Sequence, residues 1–261
     1  MKIKEVIAAL ELVAPLPLQE DFDNAGLQVG LTEAEVSGAL LCLDVTEEVV
    51  EEALNLGCNL IIAHHPLIFH RLSQVSDADY VQRCIRRAIK HDITIVAMHT
   101  NLDNAPQGVN VKIAQRLQLK QVELIARKQV EGIEGGSGVI GTLPEAMTAE
   151  AFIQLLKQQF NISCLQTNEL LQRPIKRVAI CGGAGGFLWG EAIKAQADAF
   201  ITGEMHYHDY FDHEQQIQIC VMGHYQSEQF TANLLQEILQ QHCPDVTTHI
   251  TKINTNPILY F

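Results

Sequence analysis

His64 and His65 stand side by side at the end of the apolar run Leu60-Ile61-Ile62-Ala63 and are followed by Pro66. Four apolar residues running into polar ones predict a buried parallel strand that ends in a loop, the place where open α/β sheets put their ligand sites. Neighbouring side chains on extended backbone point to opposite sides, so adjacent imidazoles either serve two different metal ions or sit where the chain turns. Further along, His224 and Glu228 are spaced i, i+4, which on a helical turn puts both side chains on one face. Asp103 closes His99-Thr100-Asn101-Leu102-Asp103, directly behind another apolar run. Taken singly, a strand-end histidine is ordinarily a satisfied residue, and an aspartate after a strand is ordinarily a helix cap. As a set at matching positions, His64, His65, Asp103, His224 and Glu228 read as metal ligands. Three imidazoles and two carboxylates suit zinc, iron, manganese or nickel, whereas magnesium and calcium prefer oxygen donors. Five such donors exceed one tetrahedral zinc and match two divalent ions sharing a carboxylate. His99 is then an alternative ligand or a group that orients one.

The elements that must position these residues are legible as alternation. Strand-like runs occur at Ala39–Leu43, Leu60–Ala63, Ile93–Met98, Val178–Ile180, Ala199–Thr202 and Gln218–Met222. Helical patterns fill most intervals, at Thr46–Leu56, Asp77–His91, Gln107–Leu117, Thr148–Phe160, Leu188–Gln196 and Gln226–His242. This predicts βαβ units with mainly parallel sheet. Thr46 is placed to cap its helix, with Glu47 and Glu48 at the positive end of the dipole and Gly57 at the stop. The glycine-rich stretch Glu131–Gly141 predicts a hinge, a hairpin or a domain junction.

The two halves echo each other. Cys42 to His65 and Cys181 to Glu204 both read strand end, loop, helix, apolar strand, over the same 23 positions, the first closing on His64-His65 and the second on Gly203-Glu204. Ile93–Met98 leading to His99 and Asp103 likewise resembles Ile217–Met222 leading to His224 and Glu228. The expected fold class is α/β, with two interlinked, structurally similar domains derived from an internal duplication. Boundaries are expected at 1–128 and 129–218, with 219–261 returning to the metal cleft. By this echo Glu204 corresponds to His65 and faces the cleft. His99, Glu204 and His206 are the candidates to orient the ligands or relay protons.

Composition narrows the partners. Lys and Arg number 18 against 31 Asp and Glu, a net charge of −13, which argues against broad attraction to nucleic acid or anionic lipid. No apolar stretch approaches the roughly 20 residues of a membrane span, and the N-terminus lacks a signal-peptide pattern. The seven dispersed cysteines, without a C-x-x-C pair, read as reduced core residues of a cytoplasmic protein. Cys181-Gly182-Gly183-Ala184-Gly185-Gly186 lacks the Gly-Lys-Ser/Thr ending of a P-loop and reads as a tight strand-to-helix connection, the alternative being a loop that presents backbone amides to a phosphate.

Five segments in order, Asp23-Asn24-Ala25-Gly26-Leu27-Gln28-Val29-Gly30, Ala63-His64-His65-Pro66-Leu67, His99-Thr100-Asn101-Leu102-Asp103, Thr202-Gly203-Glu204-Met205 and Gly223-His224-Tyr225-Gln226-Ser227-Glu228, resemble the signature of the NIF-three-like family. Bacterial members of that family carry the label GTP cyclohydrolase I type 2 homologue. The resemblance implies paired α/β domains, a dinuclear metal centre and a toroidal homohexamer. It also implies that His64, His65, Asp103, His224 and Glu228 hold the metals, with no ligand missing. Where the family often has His-His-Asp after its Gly-Glu segment, this chain has Met205-His206-Tyr207-His208-Asp209. The expected activity is metal-dependent hydrolysis of a nucleotide or related small molecule, with Glu204 or His99 as proton shuttle. The alternative is a non-catalytic hexamer acting as a metal-binding regulator, metal carrier or protein-interaction platform.

Overall fold

The computed structural model describes residues 1–260. Its strands are β1 (Gly26–Val29), β2 (Ala39–Cys42), β3 (Leu60–Ala63), β4 (Thr94–Ala97), β5 (Lys120–Val130), β6 (Ile133–Met147), β7 (Gln166–Thr167), β8 (Ile175–Cys181), β9 (Ala199–Thr202), β10 (Gln218–Val221) and β11 (Thr248–Ile250). Two compact units divide the chain, one made of 1–102 with 230–261 and the other of 103–229. The chain therefore leaves the first unit once and comes back to it.

Unit 1 is built on the sheet β1-β4-β3-β2-β11. β2, β3 and β4 are parallel and fully buried, which is why they read as continuous apolar runs rather than as alternating patterns. The crossover Glu47–Asn55 starts as its sequence requires, with the Thr46 hydroxyl accepting from the Val49 amide. The next crossover, Tyr80–Lys90, is capped by Asp79, whose side chain accepts from the Gln82 amide. Val49, Val50 and Ala53 of one helix and Cys84, Ile85 and Ala88 of the other close over Leu40, Ile61 and Ile95 as one core.

Unit 2 carries the sheet β5-β6-β8-β9-β10-β7. Its centre repeats unit 1: Val178 pairs with Ala199 and Ala199 with Gln218, as Ala39 pairs with Leu60 and Leu60 with Thr94. Each parallel trio is flanked on its last strand by an antiparallel strand, β1 in one sheet and β7 in the other. The duplication expected from the sequence is thus present in strand order and register. The units differ at the opposite edge, where β11 continues parallel beside β2 but β6 runs antiparallel to β8. The glycine-rich stretch proves to be part of a long hairpin, β5 with β6, turning at Glu131-Gly132. Its glycines serve close approach: a Cβ on Gly136 would stand 2.4 Å from the Ala126 carbonyl oxygen. Six of the seven thiols are buried and only Cys164 is exposed. Among the described residues no helix is long and apolar enough to cross a membrane.

Candidate metal centre

In unit 1 the candidate residues lie at the C-terminal ends of β3 and β4. The ladder extends one step past β3, since the amides of His64 and His65 donate to the carbonyls of Cys42 and Leu43 at 3.1 and 2.9 Å. The backbone then bends at these two residues. That bend resolves the alternation problem, bringing the two rings to 4.9 Å between centroids, and a ligand nitrogen of each lies within 4.8 Å of the other. His99, from the end of β4, completes a cluster of three rings, 5.4 Å from His64 and 5.5 Å from His65.

Each of these imidazoles is oriented in the same way. His64 Nδ1 is 2.7 Å from the Met98 carbonyl oxygen, His65 Nδ1 is 2.7 Å from Asp44 Oδ1, and His99 Nδ1 is 2.7 Å from Asp23 Oδ1. An acceptor at Nδ1 selects the tautomer that is protonated there and turns the lone pair of Nε2 toward the cluster, as the outer partners of metal-binding histidines do. Burial alone would raise the Asp44 carboxyl, but hydrogen bonds from His65 and then Thr255 hold it below the usual range. Asp23 is under the same opposition: burial raises it, while hydrogen bonds from His99 and Thr100 prevail and hold it at about 2. Neither aspartate was singled out from the sequence. Asp23 lies in a quoted family segment, and Asp44 follows β2 by two residues, as His65 follows β3, a signal that was there to be read.

Asp23 gives a prediction with a definite sign. Its carboxyl titrates lower in the folded chain than in the unfolded one, so its contribution is present above pH 4 and lost as pH falls through about 2. At pH 6 Asp23→Asn is expected to be less stable than wild type by on the order of 2 kcal/mol. The gap between the two proteins should close as pH drops from 4 to 2. Urea unfolding of both proteins across that range checks it, and a gap independent of pH contradicts it.

In unit 2 the corresponding place holds Glu204, two residues past β9, with His224 and Glu228 on the short helix His224–Glu228. Glu204 Oε1 accepts from His224 Nδ1 at 2.8 Å, and His224 Nε2 lies 3.1 Å from Glu228 Oε2. The i, i+4 pair read from the sequence therefore shares a face, and Glu204 orients His224 as Asp44 orients His65. Glu228 is almost wholly buried, with 4 % of its side chain exposed. Ser227 of the same motif ties this helix down: its hydroxyl accepts from the Gly183 amide at 2.9 Å and donates to the His224 carbonyl at 2.8 Å.

Asp103 ends the short helix Thr100–Asp103, and its carbonyl accepts from Asn110 Nδ2 at 3.2 Å. Asn110 Oδ1 in turn accepts from the Gly182 amide at 2.9 Å, linking Asp103 to the loop beside Glu228. Burial, and then the carboxylates of Asp103 and Glu228, push the Cys181 thiol far up, so it is a protonated core group and no thiolate ligand. His206 is not brought into the group: among the described residues no hydrogen bond or ion pair joins its side chain to Glu204 or His224. It precedes the short helix Tyr207–Tyr210.

The asymmetry between the halves has a steric cause. Asp44 and Gly183 occupy equivalent places, two residues beyond β2 and β8. A Cβ on Gly183 would stand 2.1 Å from Glu228 Oε1, so the space that Asp44 fills in unit 1 is taken in unit 2 by a carboxylate arriving from another helix. Gly203, the counterpart of His64, has no room for a side chain either, because a Cβ there would meet Ser227 Oγ at 2.8 Å and His224 Cα at 2.9 Å.

Duplicated α/β units that carry imidazoles and carboxylates on strand ends, with His64, His65 and His224 oriented through Nδ1, define a protein with a candidate His/carboxylate metal site; the donor chemistry fits borderline divalent ions. The chain belongs to the DUF34/NIF3 family (NGG1p interacting factor 3), whose profile matches residues 1–257. A relative from Clostridium perfringens called GTP cyclohydrolase 1 type 2 homolog is 36% identical over 229 residues, covering 87% of each chain. One of the same name from Campylobacter jejuni is 30% identical over 264 residues and covers both chains completely. Among solved structures, a Staphylococcus aureus protein aligns at a TM-score of 0.91 and 31% identity, over 100% of this chain and 99% of its own. A Bacillus cereus protein related to NIF3 aligns at 0.89 and 26%, with the same coverage.

Proposed function

We propose that the two half-sites together hold two divalent metal ions, and that the protein is a metal-dependent hydrolase of a nucleotide or related small molecule. In this reading His64, His65, Asp103, His224 and Glu228 are the ligand set. The observation that carries it is the common orientation of the histidines: Met98, Asp44 and Glu204 hold the Nδ1 atoms of His64, His65 and His224. Three unrelated acceptors that select one tautomer in three imidazoles are hard to explain by packing alone. Two bound ions would acidify water at neutral pH and neutralise charge developing on a substrate.

The remaining residues have roles of their own. His99 accepts a proton at Nε2, and the ionised Asp23 carboxylate at Nδ1 stabilises the imidazolium that results. Glu204, 57 % exposed, keeps one oxygen on His224 and can exchange a proton with solvent through the other. Beside His99 the phenyl ring of Phe69, 6.1 Å away, and Phe22, 6.4 Å further on and tilted by 57°, give an exposed aromatic patch against which a planar ring can pack. The names of the relatives point to the same substrate class.

The test is a screen of protein with a defined metal content against nucleotides, phosphoesters and cyclic amides, run beside Asp103→Ala. Turnover by wild type is expected, with a loss in the variant beyond the roughly 10- to 100-fold typical of outer partners of a metal. Full metal loading with no turnover across the panel would leave the metal site without hydrolysis, as a regulator, a metal carrier or an interaction platform.

A further inference from the structure

The segment after β11 carries no chemistry that its sequence announces, yet the structure straps it across unit 1. The Thr251 amide donates to the Leu41 carbonyl at 2.9 Å, continuing the ladder beside β2. Glu52 then grips the segment twice, accepting from the Thr251 hydroxyl and from the Lys252 amide at 3.0 Å. Ile253 packs onto the core formed by the two crossover helices. Two residues later the Thr255 hydroxyl donates to Asp44 Oδ2 at 2.7 Å, while Asp44 Oδ1 accepts from His65 Nδ1 at the same distance.

We infer that Thr255 is a positioning residue of the metal centre and that the C-terminal strap is part of its construction. The inference rests on the reading of His65 as a metal ligand. A carboxylate held at one oxygen can swing about its own axis and carry the imidazole with it. Anchored at both oxygens it cannot, and the His65 ring plane is fixed by two hydrogen bonds in series. The strap is itself fixed at Leu41, Glu52 and Ile253, so the anchor is a firm one. The contact is specific: a hydroxyl 211 residues away in the chain supplies, among the described residues, the one side-chain donor to Asp44 Oδ2.

The size of the effect follows from exposure. The Asp44 side chain is 35 % exposed, so water can replace a lost hydroxyl in part. Thr255→Val, which keeps the shape and removes the donor, is therefore expected to weaken metal binding by about 3- to 10-fold, less than the roughly 10- to 100-fold for removing a direct partner of a ligand. The experiment titrates Zn2+ against a chromophoric chelator and records the visible spectrum of Co2+-loaded protein for wild type, Thr255→Val, Thr255→Ser and His65→Ala. Expected are weaker binding and an altered Co2+ spectrum for Thr255→Val, an unchanged melting temperature of its metal-free form, and recovery by Thr255→Ser. Wild-type affinity in Thr255→Val overturns the proposal, as does failure of Thr255→Ser to restore binding. His65→Ala separates the two levels: if it keeps all its metal, the ligand reading itself is wrong. If it loses metal while Thr255→Val does not, only the positioning role falls.

Discussion

Replacement of His65 by alanine is expected to reduce metal binding more than any other single change in unit 1 short of its neighbour His64. The imidazole is removed where its orientation has already been fixed, with Nδ1 on Asp44 and the ring 4.9 Å from that of His64. Loss of an outer partner of a metal-binding histidine typically costs about 10- to 100-fold in affinity, and loss of the donor itself exceeds that. The fold should tolerate the change, because 22 % of the side chain is already exposed and the hydrogen bond lost, to a partly exposed carboxylate, is worth roughly 1.5 kcal/mol. Metal content after dialysis, measured by mass spectrometry, should fall by at least one ion per chain while the metal-free melting temperature stays within a few degrees. Asp44→Ala is the graded comparison, expected to weaken binding but keep the donor. A His65→Ala protein with wild-type metal content would remove this residue from the ligand set.

The second large effect is expected from Gly183→Ala, a methyl group placed on a residue with no chemistry of its own. The built Cβ lies 2.1 Å from Glu228 Oε1 and 3.5 Å from His224 Cε1, so the carboxylate has to leave its place. It can do so, since the clash falls on the far end of a flexible side chain and not on backbone. The fold is therefore kept at a cost of roughly 1–2 kcal/mol for an alanine at a φ of +57°. Metal affinity is expected to drop by about 10-fold or more, because a donor that is buried and held has been displaced. Gly132→Ala isolates the backbone cost, for it has a φ of +82° and nothing within 4 Å of its built Cβ. Gly132→Ala should lose stability and keep metal binding; if Gly183→Ala binds metal as well as Gly132→Ala does, Glu228 is not a ligand.

The parallel cores were legible because burial on both faces makes each of β2, β3, β4, β9 and β10 a continuous apolar run with one meaning. The strands that escaped notice have no such signature. β5 is half-exposed and carries Lys120, Glu123, Arg127 and Lys128, and β6 is broken up by glycines that are there for close packing rather than for turning. β7 and β11 are two and three residues long, too short for any period to declare itself. The Thr46 cap was readable because a cap acts on the amide three residues on, within the same short segment, and Asp79 and Thr148 cap their helices in the same way.

The same division runs through the site. Sequence determined the inventory: which strand ends carry imidazoles, that His224 and Glu228 share a helical face, and that the halves repeat with Glu204 in the place of His65. All of these are local, fixed by spacing along one element or by comparison of two. Tertiary structure decided how the donors are aimed. Asp23 reaches His99 over 76 residues, Asp44 reaches His65 over 21, Glu204 reaches His224 over 20 and Thr255 reaches Asp44 over 211. No periodicity records which acceptor meets which ring nitrogen, because that contact exists only once separate strand ends are side by side.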